Sequence, residues 1–131
     1  MNIGQAAASA AVTRKMIRHY EALGLVQSER QPNNYRSYSE RTVSMLRFIR
    51  HARELAVPLP EVREMLGLWR DVDNDPDAVQ ERARAEVERL ERKAASLQAV
   101  AGALRNLAET AERGKRPAVP HFEDAKAPTS F

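Results

Sequence analysis

Residues 13–25 read TRKMIRHYEALGL, and the phase of this stretch decides the fold. Thr13 is a residue type that caps helix starts, and Gly24 is the type that ends them. At about 100° per residue, Met16, Ile17, Tyr20 and Leu23 fall on one side of the helix between them. Arg14, Lys15, Arg18 and His19 fall on the other. One face therefore seeks a core and the other displays cations. Upstream, the alanine-rich segment from Ile3 to Ala10 is compatible with a first helix. Two short helices joined by a tight turn, the second basic near its start, make the pattern of a helix-turn-helix. A helix fits the major groove of B-DNA, and its early residues reach base edges. Lys15 and Arg18 suit phosphate or guanine, and the pattern leaves both open, beside the plainer reading of a solvated charged face.

Downstream, Leu25 to Tyr38 contains Pro32-Asn33-Asn34 followed by Tyr35-Arg36-Ser37-Tyr38. Asparagine tolerates left-handed backbone angles, so a polar hairpin with its turn at 32–34 is expected. Arg30, Tyr35, Arg36 and Tyr38 place guanidinium and phenol groups on that ribbon, where they suit phosphates beside a groove. Tyr38 is equally suited to packing. Ser39 caps a third helix running through Leu55, with Val43, Leu46, Phe48, Ile49 and Ala52 as its apolar positions. Arg53, near its end, forms a candidate second phosphate clamp with the loop from Val57 to Pro60. A fourth helix is expected from Pro60 or Glu61, because proline suits a first turn. Val62, Met65, Leu66 and Trp69 are assigned to its inner face, and Met45 and Met65 to the core.

The rear half is organised differently. Residues 71–75 form an acidic linker, and Pro76 opens a helix expected to reach residue 113. Within it Ala83, Val87, Leu90, Ala94, Leu97, Ala101, Leu104, Ala108 and Ala111 alternate in steps of four and three. Charged residues flank this row, as in a coiled-coil seam. So long a helix cannot be buried by so small a head. A second copy is the simplest partner, and antiparallel pairing would join two heads; packing on the chain's own head is the alternative. Val87, Leu90, Ala94, Leu97, Ala101, Leu104 and Ala108 are the expected dimer contacts. Residues 114–131 read as a proline-broken loop and a poorly ordered tail.

Charge sorts the two halves. Residues 1–70 carry 11 Lys and Arg against 6 Asp and Glu, whereas residues 71–131 carry 10 against 12. The excess cations lie in the half that holds the helix-turn-helix, which favours an anionic partner there. No apolar run reaches the ~18 residues of a membrane span, and no signal peptide is evident, so a cytoplasmic location is expected. The chain has no cysteine, which excludes disulfides and thiolate metal sites. No nucleophile–base pair, glycine-rich phosphate loop or convergent carboxylates point to an enzyme.

The stretches MNIGQAAASAAVTRKMIRHYEALGLV, NNYRSY and LRFIRHARELAVPLPEVREMLGLW together resemble the MerR family of regulators, most closely its copper-responsive and related metal-responsive branch. The resemblance spans about residues 1–124, and the first 70 are the most diagnostic. It implies a winged helix-turn-helix head over residues 1–70, a second wing, and a long antiparallel coiled-coil dimerisation helix over 76–113. The expected fold class is all-α with a small β wing. The resemblance places Lys15, Arg18, Tyr20, Tyr35, Arg36, Tyr38 and Arg53 at family DNA-contact positions. Helical phase puts the Tyr20 ring in the core, with its hydroxyl still within reach of a phosphate. Members of the family act on double-stranded promoter DNA by bending and untwisting it, which realigns the elements read by RNA polymerase.

Metal-responsive members hold their ion with thiolates in a loop after the dimerisation helix and near that helix's start. The matching positions here are Ala111, Val119 and Pro76. Monovalent copper strongly prefers sulfur, so copper sensing by this route does not carry over. No cofactor or metal is expected, and the effector is open. His121 with Glu123 and Asp124 offers a weak divalent-ion alternative. Ala108, Ala111, Val119 and Phe122 either line a small apolar effector pocket or simply pack loop on helix. The function expected is a dimeric, sequence-specific regulator acting by promoter distortion. The competing class is a coiled-coil protein-interaction module without specific DNA binding.

Overall fold

The structure is a computed structural model, described here for residues 1–33 and 35–122. The described residues divide into two compact units, residues 1–73 and residues 74–122.

The first unit contains α1 (Ile3–Ala10), α2 (Arg14–Ala22), β1 (Glu29–Arg30), β2 (Arg36–Ser37), α3 (Glu40–Glu54) and α4 (Leu59–Asp71). Local chemistry fixes most boundaries. Asn2 and Gln5 form a reciprocal capping box at the start of α1. Thr13 accepts from the Met16 N–H, and Ser39 from the Thr42 N–H. Gly24 (φ 75°) takes the left-handed conformation that ends α2, which a side chain would resist. α4 starts at Leu59, a residue earlier than expected, because Pro58 holds the extended angles of a cap and leaves Leu59 free to begin the turn.

Small residues on α1 let it lie against both α2 and α3. Ala6, Ala10, Ile17, Leu46, Ile49 and Val62 are completely buried in the resulting core. α3 also satisfies the end of α1 through its side chains. Arg47 donates from Nε and Nη2 to the Ser9 carbonyl at 3.1 and 3.0 Å, and Arg50 Nε donates to the Ala10 carbonyl at 3.1 Å. These two arginines thus neutralise carbonyls that a helix end otherwise leaves orphaned.

Two assignments to the inner faces change. Met16 is exposed, because the nine-residue α2 is anchored through Ile17 and Tyr20 alone. Trp69 is 59% exposed, and its ring meets Phe48 edge-on at 5.3 Å. α4 buries Val62, Met65 and Leu66, and the following turn carries Trp69 past the rim of the core. Met65 is buried, whereas Met45 only borders the core.

Ala56 sits between α3 and α4 at φ 59°, a left-handed angle that costs a Cβ-bearing residue about 1–2 kcal/mol. Ala56→Gly is expected to raise head stability by up to ~1 kcal/mol, after the greater unfolded-state freedom of glycine is subtracted. The midpoint of urea unfolding, at constant m value, checks this.

The second unit is built on α5 (Pro76–Glu112), 37 residues long. Asp75 caps it by accepting from the Ala78 N–H at 3.2 Å. At 1.5 Å per residue the helix is roughly 55 Å long. After Gly114, residues 117–122 return along its second half.

Candidate nucleic-acid interface

α2 is held from below and left bare above. Ile17 and Tyr20 anchor it in the core, Tyr20 at 4% exposure with its ring 5.8 Å from that of His19. Arg14, Lys15, Arg18 and His19 all lie exposed on the opposite side, as the helical phase requires. Among the described residues none forms a hydrogen bond or ion pair with Arg14, Lys15 or Arg18. Three other arginines of this unit contrast with them. Arg47 and Arg50 serve α1, and Arg63 donates to the Leu23 carbonyl at 2.7 Å. Cations spent on backbone carbonyls and cations left to solvent are thereby separated. Arg14, Lys15 and Arg18 share the first turns of one helix unspent, where a phosphate or base edge can meet them.

The ribbon lies beside α2. β1 and β2 pair antiparallel, Glu29 opposite Ser37 and Arg30 opposite Arg36. The Gln31 N–H donates to the Tyr35 carbonyl at 2.8 Å, and the Tyr35 N–H to Asn33 Oδ1 at 3.2 Å. The turn therefore includes Pro32 and Asn33, within the expected span, and Asn34 lies outside the described residues. Two strands of two residues would not persist alone. Met1 supports them by exchanging two backbone hydrogen bonds with Tyr38. Tyr35 is 73% exposed, and Arg36 is also at the surface.

Tyr38 differs from the phosphate-binding alternative. It is 1% exposed, and its hydroxyl donates to Glu21 Oε1. Its ring belongs to the core and its only polar atom is occupied, so it supports the interface rather than facing it. Burial, then the Glu21 carboxylate, raises the phenol above its ordinary value of 10.0, while Arg36 acts in the opposite direction. A raised phenol favours the neutral form on folding, so this contribution is present below pH 10 and fades as pH rises above it. Tyr38→Phe removes the donor from a carboxylate that keeps Arg36, and a loss of about 1 kcal/mol of stability is expected. Thermal unfolding at neutral pH measures it.

Glu21 is the residue the pattern of cations concealed. It lies on α2, with 14% of its side chain exposed, and accepts from Arg36 Nη1 at 3.1 Å as well as from Tyr38. A lone acid on a basic helix gives no periodic signal; its partners arrive from the ribbon. Arg53 Nη1 donates to the Val57 carbonyl at 2.9 Å, which joins the arginine to the start of the 57–60 segment expected to form a second clamp; Leu59 and Pro60 of that segment open α4 rather than a loop.

The comparisons with known proteins agree with this geometry. A family model described as MerR HTH family regulatory protein matches residues 1–68, and one described as MerR, DNA binding matches residues 43–107. The chain belongs to the MerR family. It is therefore a DNA-binding transcription regulator with the winged helix-turn-helix and long helix of that fold. A MerR relative, the heavy metal-dependent transcription regulator 2 of Rhizobium meliloti (strain 1021), is 38% identical over 125 residues, covering 95% of this chain and 85% of its own. A MerR family transcriptional regulator from Listeria monocytogenes superposes with TM-score 0.74 at 20% identity, over 86% of each chain. HiNmlR, a MerR family regulator lacking the sensor domain and solved bound to promoter DNA, gives TM-score 0.69 at 12% identity over 87% of each chain.

The three positions that the resemblance matched to metal ligands stand as follows. Pro76 is the first residue of α5, Ala111 lies in its last turn, and Val119 is 87% exposed in the returning loop. A groove of about 240 Å³ between loop and helix is lined by Val100, Leu104, Leu107, Val119 and Phe122. Ala108 and Ala111, expected in such a pocket, do not line it: Val100 and Leu107 form an apolar row beside the seam that the four-three pattern passes over. His121 is exposed, and Glu123 and Asp124 lie outside the described residues. No helix among the described residues is long and apolar enough to cross a membrane.

Proposed function

We propose that this MerR protein acts as a homodimer, joined antiparallel through α5, that presents two α2 helices to a promoter duplex and distorts it. One observation carries the reading. Val87, Leu90, Leu97 and Leu104 are each 40–59% exposed along the seam of a helix with charged flanks. A row of that length is too apolar to be left in water, and a like helix covers it with matching knobs and holes. The unpaired Arg14, Lys15 and Arg18 supply phosphate and base contacts, the Tyr35–Arg36 ribbon and Arg53 the flanking phosphate contacts. Pairing two heads suits half-sites in successive turns of the duplex. The solved DNA complex of a protein with this fold supports the placement.

Bending and untwisting cost on the order of 1–6 kcal/mol, a range in which a small change of dimer geometry shifts transcription. RNA polymerase is reached indirectly, through the realigned promoter elements, and the protein acts in the cytoplasm without catalysis. Migration of duplexes with the binding site at permuted positions tests this. Position-dependent mobility is expected, and uniform mobility of a bound complex would remove distortion from the account.

The effector is not monovalent copper held by thiolates, since Ala111, Val119 and Pro76 offer no sulfur. Titration of the protein against a strong copper(I) chelator is expected to leave the chelator's metal untouched. Withdrawal of copper by the protein at stoichiometric amounts would contradict this.

A further inference from the structure

We propose that Glu21 restrains the DNA affinity of the head: its carboxylate stands in for a DNA phosphate in the free protein, holding Arg36 until a duplex takes the guanidinium over. The inference rests on the DNA-binding reading and deepens it. Three observations carry it. Glu21 lies on α2, the helix that bears the unpaired cations, yet its carboxylate points to the ribbon and is largely shielded from solvent. Its two oxygens receive two different donors, the Tyr38 hydroxyl and Arg36 Nη1. Tyr38 is buried and fixes the carboxylate, while the Arg36 side chain is 45% exposed and within reach of an outside anion.

The chemistry of exchange is balanced. A carboxylate and a phosphate offer the guanidinium the same kind of anionic oxygen, so Arg36 leaves one charge-assisted hydrogen bond for another. Every duplex that engages Arg36 must first break its pair with Glu21, and this competition lowers the net gain in affinity. A cognate duplex offsets the penalty with base contacts, which a non-cognate one lacks. Glu21 thus makes the head less adhesive to DNA in general.

Glu21→Gln tests this, because the amide keeps an oxygen for Tyr38 and removes the charge. Affinities are measured for a duplex selected from a random pool by the wild-type chain and for a scrambled duplex. The variant is expected to bind both duplexes about three- to tenfold more tightly, because neither has to break the pair. In an Arg36→Gln background the same substitution is expected to produce much less change. Affinities that are unchanged or weaker overturn the proposal and mark Glu21 as merely structural. So does an effect of equal size without Arg36. A DNA-free arm separates this failure from failure of the regulator reading. Slowed rotation of the Arg36 guanidinium, seen by nitrogen-15 NMR in the wild type and relieved in Glu21→Gln, is expected. Free rotation in the wild type removes the latch while DNA binding stands. A wild-type chain that selects no duplex overturns both.

Discussion

Leu97→Asp is expected to turn the protein into a monomer at micromolar concentration while leaving the head folded. Leu97 lies near the middle of α5 and is 52% exposed on the single chain, at the seam position where an antiparallel partner would cover it. Burying a leucine contributes about 1.5–3 kcal/mol, and a two-fold dimer loses that contribution twice. A carboxylate in its place must also be desolvated opposite another carboxylate. The combined loss corresponds to a dissociation constant raised by about 10³-fold or more. Sedimentation equilibrium reads this directly. DNA affinity should fall with it, because one head alone retains half of the contacts. A persistent dimer would show that α5 pairs through a different row, with Val100 and Leu107 the next to substitute.

Arg18→Ala should weaken duplex binding by about 1–3 kcal/mol per head, roughly 5- to 150-fold. Arg18 is exposed one turn into α2, without an intramolecular partner among the described residues. Its removal therefore costs no internal hydrogen bond, and the folded head should melt unchanged. Whether it touches phosphate or base is decided by the same experiment. A phosphate contact lowers affinity uniformly across sequences and reduces the salt slope by about one per head. A guanine contact relaxes preference at one base pair. Unchanged affinity on a cognate duplex would take Arg18 out of the interface.

The elements of the head could be read from sequence because each carries its own chemical punctuation. Thr13, Ser39 and Gly24 perform as caps and stop, and the α2 phase separates Ile17 from Arg18 correctly. Contacts between elements were less legible. Tyr38 offered a phenol that suited a phosphate as well as a core, and only its meeting with Glu21 decides between them. Met16 and Trp69 obey helical phase yet stay exposed, because a short helix and a core rim supply nothing to cover them. The roles of Arg47, Arg50 and Arg63 as anchors for carbonyls depend on which helix ends lie nearby, which no periodicity reveals. The heptad row was clear in sequence, whereas the flanking Val100 and Leu107 gained meaning from the returning loop.

The most direct test titrates a fluorescent promoter duplex with the intact protein across a series of salt concentrations. Binding that is tight in dilute buffer and declines along a steep straight line, log affinity against log salt, is the result these exposed cations require. A shallow line, or no binding at low ionic strength, would contradict them and leave a coiled-coil interaction protein in place of a regulator.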